Sequence, residues 1–215
     1  MKNKKIKHAQ SRLQKRILTL SAFLLLSAFV WVDKRFHPII KNVLSPAETQ
    51  VVNEWDKYHG KSFIVVKTVD GDTIDINIPD GNYAHTRIRM LGVDTPETKS
   101  PYTPVMYFGP EASQFTRDTV LGKNVTVIMD ELSNPRDKYK RLLCHIRLAD
   151  GRILNEELIA NGFAYADHRF PHSFVEKYLG LQDEAKKQKA GLWKKVKPEE
   201  MPKWMKKKLK LNTGQ

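Results

Sequence analysis

Three short stretches of the chain combine carboxylates with arginines, and this is a combination that can cleave a phosphodiester. They run from 69 to 73 (VDGDT), from 89 to 97 (RMLGVDTPE) and from 137 to 141 (DKYKR). Asp72, Asp94 and Glu97 offer oxygen atoms to a hard cation such as Ca²⁺. Arg89 and Arg141 offer planar forks that bind a phosphate through two hydrogen bonds. Together these residues indicate metal-assisted phosphodiester chemistry.

Each stretch also has a purely structural interpretation. Asp70 and Asp72 belong to an Asp-Gly turn, which is common between strands. Asp94 fits a helix N-cap, since Glu97 follows three residues later. Pro96 disfavours the helical conformation at the preceding residue, and this favours a turn that aims oxygen atoms at one point. Asp137 can equally be the ion-pair partner of an arginine. Taken singly, the stretches leave both interpretations open.

The elements that must position these residues are short strands with interspersed helices. Hydrophobic alternation and turn signals predict strands over 62–69, 73–78, 86–93, 125–129 and 142–148. Helices are predicted over 109–121 and 154–161, and a last one from Ser173, where Glu176 completes a capping box. This order predicts an α+β, mainly β fold: an OB-type five-stranded barrel with about three flanking helices.

An apolar segment near the N-terminus predicts export. Residues 17–32 carry no charge and follow a basic leader, 1–16, that contains seven Lys or Arg. The segment is near the lower length limit of a membrane span, and small residues suited to signal cleavage are missing near its end. An N-terminal hydrophobic helix that anchors the chain is therefore favoured, with the remainder on the non-cytoplasmic side. The alternative is a secreted or periplasmic protein, released by signal cleavage.

The net charge of +13 resides in the two ends of the chain, and the middle is balanced. Residues 33–60 are interpreted as a linker with a short helix, 61–195 as the folded domain and 196–215 as a basic tail. Lysines of the tail, over 194–210, surround an apolar face that fits anionic lipid or nucleic acid, or a solvated tail. This face is formed by Met201, Trp204, Met205 and Leu209.

The order and spacing of the motifs resemble the staphylococcal nuclease (thermonuclease) family. The resemblance covers about residues 61–193. Besides the three stretches it rests on Gly109-x-Glu111-Ala112, Asn155-x-x-Leu158 and Gly191-Leu192-Trp193. It implies an OB-type barrel with three helices. It also implies a Ca²⁺-dependent endonuclease for DNA and RNA that leaves 3′-phosphates, and we expect a monomer.

The resemblance also implies a role for each acidic motif position. Asp72 and Asp94 would be carboxylate ligands of Ca²⁺, and Thr95 would be a carbonyl ligand. Glu97 would orient or deprotonate the attacking water. A carboxylate beside a cation has a depressed pKa and is a weak base, which favours orientation over proton removal.

For the basic positions the resemblance implies binding of the scissile phosphate by Arg89 and Arg141. Arg141 would also favour departure of the 5′ oxygen, and Lys138 and Tyr139 would contact the substrate. Lys140 stands where the family usually has glycine. The alternative function is a non-catalytic nucleic-acid-binding or scaffolding module on the same barrel.

Overall fold

Five strands of the chain close into a small barrel. A computed structural model describes residues 53–98 and 104–206. Its strands are β1 (Ser62–Thr68), β2 (Thr73–Ile76), β3 (Thr86–Met90), β4 (Val93–Asp94), β5 (Asn124–Ile128), β6 (Leu142–Arg147) and β7 (Tyr165–Ala166). The barrel runs β1-β2-β3-β6-β5, and β5 pairs with β1 to close it. Only the β3–β6 pair within this barrel is parallel. The predicted five-stranded barrel is confirmed.

The barrel interior is filled by apolar, largely β-branched side chains. Val65, Ile74, Ile88, Val127 and Ile146 come from five different strands, and each is fully buried. Residues of this type pack well on a pleated surface, and alternate positions along a strand point to the same side. The hydrophobic periodicity that predicted the strands therefore also defines the core.

Four helices with defined bounds surround the barrel in the described residues, and residues 203–206 are helical as well. The four helices are α1 (Glu54–Tyr58), α2 (Gly109–Val120), α3 (Leu154–Ala160) and α4 (Val175–Lys187). Two 3₁₀ turns follow, Gly191–Lys194 and Pro198–Glu200. The three helices predicted for the folded domain are found as α2, α3 and α4, close to their predicted positions. None of the described helices has the length and apolar character needed to cross a membrane.

The third predicted strand ends earlier than expected. It was predicted to run to Val93, but β3 ends at Met90, and Gly92 takes a left-handed backbone conformation with φ +74°. A Cβ atom at position 92 would lie 2.5 Å from His172 Nε2, so both the conformation and the space require glycine. The break lets β4 leave the barrel and pair with β7, which carries Asp94 away from the β3 axis.

The predicted capping box at Ser173 was wrong. Helix α4 begins at Val175, and the Ser173 side chain makes no cap hydrogen bond to it. Instead, the backbone N–H of Ser173 donates to Asp130 Oδ2 at 2.8 Å, and its hydroxyl donates to Oδ1 at 3.1 Å. A long-range carboxylate therefore replaced the local glutamate as the partner of this serine.

Asp130 continues into a buried polar network under α4. His145 Nε2 lies 3.4 Å from Asp130 Oδ2, and His145 Nδ1 is 2.8 Å from the Tyr178 hydroxyl. His172 packs beside them and accepts the Phe174 N–H at Nδ1. Burial lowers the pKa of His145 to about 4, and the neighbouring His172 adds to this effect. His145 is thus neutral at pH 7, and the network joins the barrel to α4.

Several predictions concern residues outside the described part of the chain. The leader 1–16, the apolar segment 17–32 and most of the linker 33–60 lie there, as do residues 207–215. The predicted short helix of the linker is described only at its end, as α1. The start of the basic tail is described. The part of its apolar face that lies there packs against the protein, whereas we expected a face for lipid or nucleic acid or a solvated tail. Met205 is buried, and Met201 and Trp204 pack in the same cluster with Tyr165 and Leu192.

Candidate active site

The turn between β1 and β2 brings Asp72 next to Arg89. Thr73 on β2 pairs with Arg89 on β3, so the residue before Thr73 lies beside the end of β3. The backbone N–H of Met90 donates to the Asp72 carbonyl at 2.8 Å, which extends this pairing. Asp70 shapes the turn because its Oδ1 accepts the Asp72 N–H at 3.2 Å. The turn interpretation of this stretch is confirmed, and the turn places Asp72 beside the end of β3.

The guanidinium of Arg89 joins the two predicted ligand carboxylates. Its Nη1 lies 3.0 Å from Asp72 Oδ2, and its Nη2 lies 3.0 Å from Asp94 Oδ1. Nη1 also donates to the carbonyl oxygens of Met90 at 3.1 Å and Val93 at 2.7 Å. These carbonyls flank the break at Gly92. The break therefore displaces Asp94 from β3, and its carbonyls also fix Arg89, the arginine that contacts Asp94.

Thr95 is attached to Asp72 at two points. Its backbone N–H donates to Asp72 Oδ2 at 2.9 Å, and its hydroxyl donates to the same oxygen at 3.1 Å. The Thr73 hydroxyl donates to Asp72 Oδ1 at 3.1 Å. A Cβ atom on Gly71 would lie 2.7 Å from Thr95 Cγ2, so this close approach needs glycine in the turn.

The site concentrates negative charge in a poorly solvated place. Burial, followed by repulsion from Asp72, raises the pKa of Asp70 to about 7. Burial also raises the pKa of Asp94 to about 6, although Arg89 opposes the shift. For Arg89, burial opposes the charged form, but the surrounding carboxylates outweigh it and its pKa lies above the ordinary value. Two guanidiniums, of Arg89 and Arg169, face the four carboxyl groups of Asp70, Asp72, Asp94 and Asp167, so acids outnumber arginines around Asp94.

Glu97 lies three residues beyond Asp94, near the end of the described stretch 53–98. Its Oε1 accepts the backbone N–H of Thr98 at 2.9 Å. Both Thr95 and Pro96 are without helical assignment, so the helix N-cap interpretation of this stretch is wrong. The stretch is an irregular connection after β4.

Asp137 holds Arg141 in its loop. Its Oδ2 accepts the Arg141 Nε–H at 2.8 Å, and its Oδ1 accepts the backbone N–H of Arg141 at 3.0 Å. Lys140 takes the left-handed conformation, with φ +66°, and its carbonyl accepts a hydrogen bond from Arg136 Nη1 at 2.7 Å. The loop thus has the backbone conformation that glycine would favour, although lysine occupies the position.

Arg141 faces a groove that runs along the outside of the barrel. β3 and β6 pair in parallel with Arg89 opposite Leu143, which places Arg141 toward Arg87. The groove has a volume of about 710 Å³, and Arg87, Arg141, Tyr83 and Tyr139 line it. Tyr139 is 68% exposed, and Lys138 Nζ lies 4.9 Å from the centre of its ring. The predicted substrate-binding pair is therefore available at the surface beside Arg141.

Two residues of the site were missed by sequence reasoning. Trp204 donates its indole N–H to Asp94 Oδ2 at 2.7 Å, across 110 positions of the chain. Arg169 Nη2 lies 3.5 Å from the same oxygen and is paired with Asp167 at 2.7 Å. Periodicity singled out Trp204 only as part of an apolar face, and no motif pointed to Arg169.

The structure thus brings Asp72, Arg89, Asp94 and Thr95 into one contact network and holds Arg141 in the adjoining loop. Comparisons with known proteins identify the family of the chain. A model of the family described as "Staphylococcal nuclease homologue" matches residues 87–195. A thermonuclease of Staphylococcus intermedius is 38% identical over 140 residues, which are 63% of this chain and 78% of that protein.

Two further relatives are similar over a comparable share of the chain. A thermonuclease of Staphylococcus hyicus is 35% identical, over 62% of this chain and 76% of its own length. A prophage-derived endonuclease of Bacillus subtilis is 33% identical, over 60% of this chain and 43% of its own length. The chain therefore belongs to the staphylococcal nuclease family, and it is a hydrolase of the nuclease class.

Proposed function

We propose that the chain is a Ca²⁺-dependent endonuclease that hydrolyses phosphodiester bonds of DNA, RNA or both with low sequence specificity. The observation that carries this proposal is the bridge from Arg89 to Asp72 and Asp94, at 3.0 Å on each side. It places two carboxylates suited to bind a metal ion and one guanidinium suited to bind a phosphate within one partly buried cluster. The names of the relatives support nuclease activity, and the geometry supports these residues as its centre.

The donor set fits Ca²⁺. Asp72 and Asp94 would hold the ion with their carboxylates, and Thr95 would contribute its carbonyl oxygen. These are hard oxygen ligands on irregular backbone, which Ca²⁺ accepts more readily than Mg²⁺ does. Burial and mutual repulsion raise the pKa of Asp94, which is the condition that a bound cation would relieve. When bound, Ca²⁺ would supply positive charge for the phosphate and for water.

Arg89 has one edge directed at the protein, and we assign its other edge to the substrate. Nη1 and a hydrogen of Nη2 contact Asp72, Asp94 and two carbonyl oxygens. The other edge consists of Nε–H and the second Nη2 hydrogen, and this pair matches the oxygens of a phosphate. Because the carbonyl contacts fix the guanidinium, it can stabilise developing charge with little reorganisation.

Arg141 would bind the phosphate from the loop that precedes β6. Asp137 accepts its Nε–H and lies 2.8 Å from Nη2, so one edge of Arg141 is held and the other is directed away from Asp137. We assign Arg141 to the leaving side, where charge develops on the 5′ oxygen and the product keeps a 3′-phosphate. Lys138 and Tyr139 would contact the flanking nucleotide, because they lie in the same loop as Arg141 and Tyr139 lines the groove beside it.

Glu97 would position the attacking water. It follows Asp94 closely in the chain, and its Oε1 is fixed by the Thr98 N–H. A carboxylate next to a divalent cation is a weak base, so we assign it mainly an orienting role. Low sequence specificity follows from this design, because phosphate contacts carry no base information.

The decisive experiment uses the full chain with single-stranded and duplex DNA and with RNA. Cleavage is measured with Ca²⁺, with Mg²⁺ and with a chelator, for the wild type and for Asp72→Asn. We expect cleavage that requires Ca²⁺ and is lost in Asp72→Asn. Binding of nucleic acid without any Ca²⁺-dependent cleavage would refute the proposal and favour the scaffolding alternative.

For location, we propose that residues 17–32 anchor the chain with the nuclease domain on the non-cytoplasmic side. The apolar run and the charge before it support this orientation. Cell fractionation combined with protease accessibility tests it. A soluble product that begins after residue 32 would show cleavage of a signal instead, and protection from external protease would contradict the orientation.

A further inference from the structure

The described end of the chain contacts the candidate metal site. After the 3₁₀ turn Gly191–Lys194 come residues 195–206, which we call the C-terminal segment. It contains the second 3₁₀ turn, Pro198–Glu200, and is helical over 203–206. Val196 N–H donates to the Leu192 carbonyl at 3.0 Å, and this contact starts the segment against the barrel. The match to the family model ends at residue 195, at the start of this segment.

Apolar packing holds the C-terminal segment in place. Met205 is 8% exposed and packs with Tyr165 and Leu192. Trp204 belongs to the same cluster. Met205 N–H and Lys206 N–H both donate to the Pro202 carbonyl, at 3.0 and 3.1 Å, and so form a turn that presents Trp204. The position of the indole is therefore determined by packing and backbone hydrogen bonds.

The indole N–H points at one oxygen of Asp94. The distance from Trp204 Nε1 to Asp94 Oδ2 is 2.7 Å, which is short for an N–H···O hydrogen bond. Arg169 reaches the same oxygen at 3.5 Å, and its guanidinium stacks on the indole with 4.8 Å to the ring centre. The other carboxylate oxygen, Oδ1, is bound by Arg89.

These contacts fix the orientation of the Asp94 carboxylate from both sides. An indole N–H can only donate, so its partner must be an acceptor such as this oxygen. Hydrogen-bond partners behind a metal ligand orient it, and their removal typically weakens metal binding about 10- to 100-fold. Each carboxylate oxygen has two lone-pair directions, so the contact from Trp204 is compatible with coordination by Asp94.

We propose that Trp204 is a positioning residue for the metal site, and that its N–H holds Asp94 in the orientation that binds Ca²⁺. The inference rests on the proposed function, since it needs Asp94 to be a Ca²⁺ ligand. The site would then extend past the part of the chain that the family model matches, into the C-terminal segment. Trp204 touches neither the substrate nor the water in this role.

The chain offers a matched control for this contact. Trp193 belongs to the same cluster as Trp204, and it packs edge-on against Tyr165. Its Nε1 is buried and makes no hydrogen bond within the described residues. Trp193→Phe therefore removes an indole from the same cluster without removing a donor from Asp94.

The experiment compares the full chain with Trp204→Phe, Trp193→Phe and Asp94→Asn. Binding is measured without nucleic acid, from the rise of Tm with Ca²⁺ concentration. Activity is measured as the Ca²⁺ concentration for half-maximal cleavage and the rate at saturating Ca²⁺. For Trp204→Phe we expect about tenfold weaker Ca²⁺ binding in both assays, with a nearly unchanged rate at saturation. Trp193→Phe should match the wild type in its Ca²⁺ response.

The outcomes separate the two proposals. If Asp94→Asn keeps the wild-type Ca²⁺ response, the ligand set of the proposed function is wrong. If Asp94→Asn loses the response but Trp204→Phe behaves like Trp193→Phe, the inference about Trp204 is wrong and the proposed function stands. Should Trp204→Phe fold poorly, 3-benzothienylalanine at position 204 keeps the shape of tryptophan and replaces its N–H by sulfur. A wild-type Ca²⁺ response in that variant would equally refute the inference.

Discussion

Arg89 and Asp72 form an ion pair at 3.0 Å whose arginine is also bound to two backbone carbonyls. The pair is only slightly exposed, at 14% for the Arg89 side chain and 8% for that of Asp72. A surface ion pair contributes little, but a buried one whose partner is removed leaves an uncompensated charge. The relationship therefore matters both for the folded state and for the substrate edge of Arg89.

Replacing Arg89 by lysine should lower kcat/KM by about 100-fold or more. An ammonium group cannot span Asp72 and Asp94 and also present a planar fork to phosphate. Cleavage kinetics at saturating Ca²⁺ measure the effect. Arg87→Lys is the control, because Arg87 lies two residues away on β3 and pairs with Asp75 at 2.7 Å. Equal losses in the two variants would contradict a specific role for Arg89.

Replacing Glu97 tests orientation against proton removal. If its main task is to orient water, Glu97→Gln keeps an oxygen acceptor and should retain more activity than Glu97→Ala. We expect Glu97→Ala to lose about 100-fold or more in kcat. Single-turnover cleavage of a short oligonucleotide separates this loss from product release. Equal rates for the two variants, both far below the wild type, would instead indicate that Glu97 acts as a base.

Lys140→Gly should stabilise the protein by about 0.5–1 kcal/mol. Lys140 has φ +66°, a conformation that side chains with a Cβ atom adopt at a cost and glycine adopts freely. The greater freedom of glycine in the unfolded chain offsets part of the gain. Urea unfolding measures the difference. Lys140→Ala removes the same side chain but keeps the Cβ atom, so a gain as large in that variant would contradict backbone strain as the cause.

Stability should fall in acid because of His145. Its folded pKa is lowered to about 4, first by burial and then by His172, whereas the unfolded value is about 6.5. Between these values only the unfolded state binds the proton, so the free energy of unfolding decreases as pH falls from about 6.5 toward 4. The loss amounts to roughly 3 kcal/mol at most.

His145→Gln supplies the comparison for this pH dependence. It keeps polar atoms near Tyr178 and Asp130 but does not titrate. Asp70 and Asp94 have raised pKa values and act in the opposite direction, so only the difference between the two stability curves isolates His145. Urea unfolding from about pH 7 to pH 4.5 should show that difference shrinking in acid. Parallel curves would exclude His145 as the source.

Much of the fold and part of the site could be predicted because their signals are local. Hydrophobic alternation located the five barrel strands, since inward and outward positions alternate along a strand. The turn Asp70-Gly71-Asp72 and the spacing from Arg89 to Asp94 could be recognised for a similar reason. These residues are close in the chain or on paired strands. In the structure Asp70 contacts Asp72, and Arg89 contacts both Asp72 and Asp94. Asp137 was correctly considered as an ion-pair partner.

Other features depended on partners that are distant in the chain. The sequence by itself determined the barrel strands, the turns and the residue types of the site. Only the tertiary structure decided that β3 breaks at Gly92, because the close His172 ring and the β4–β7 pair are long-range features. The same holds for Trp204, which meets Asp94 across 110 positions. Its contact arises from packing of the C-terminal segment on the barrel. Hydrophobic periodicity predicts an apolar face that includes Trp204, but it does not predict what that face packs against.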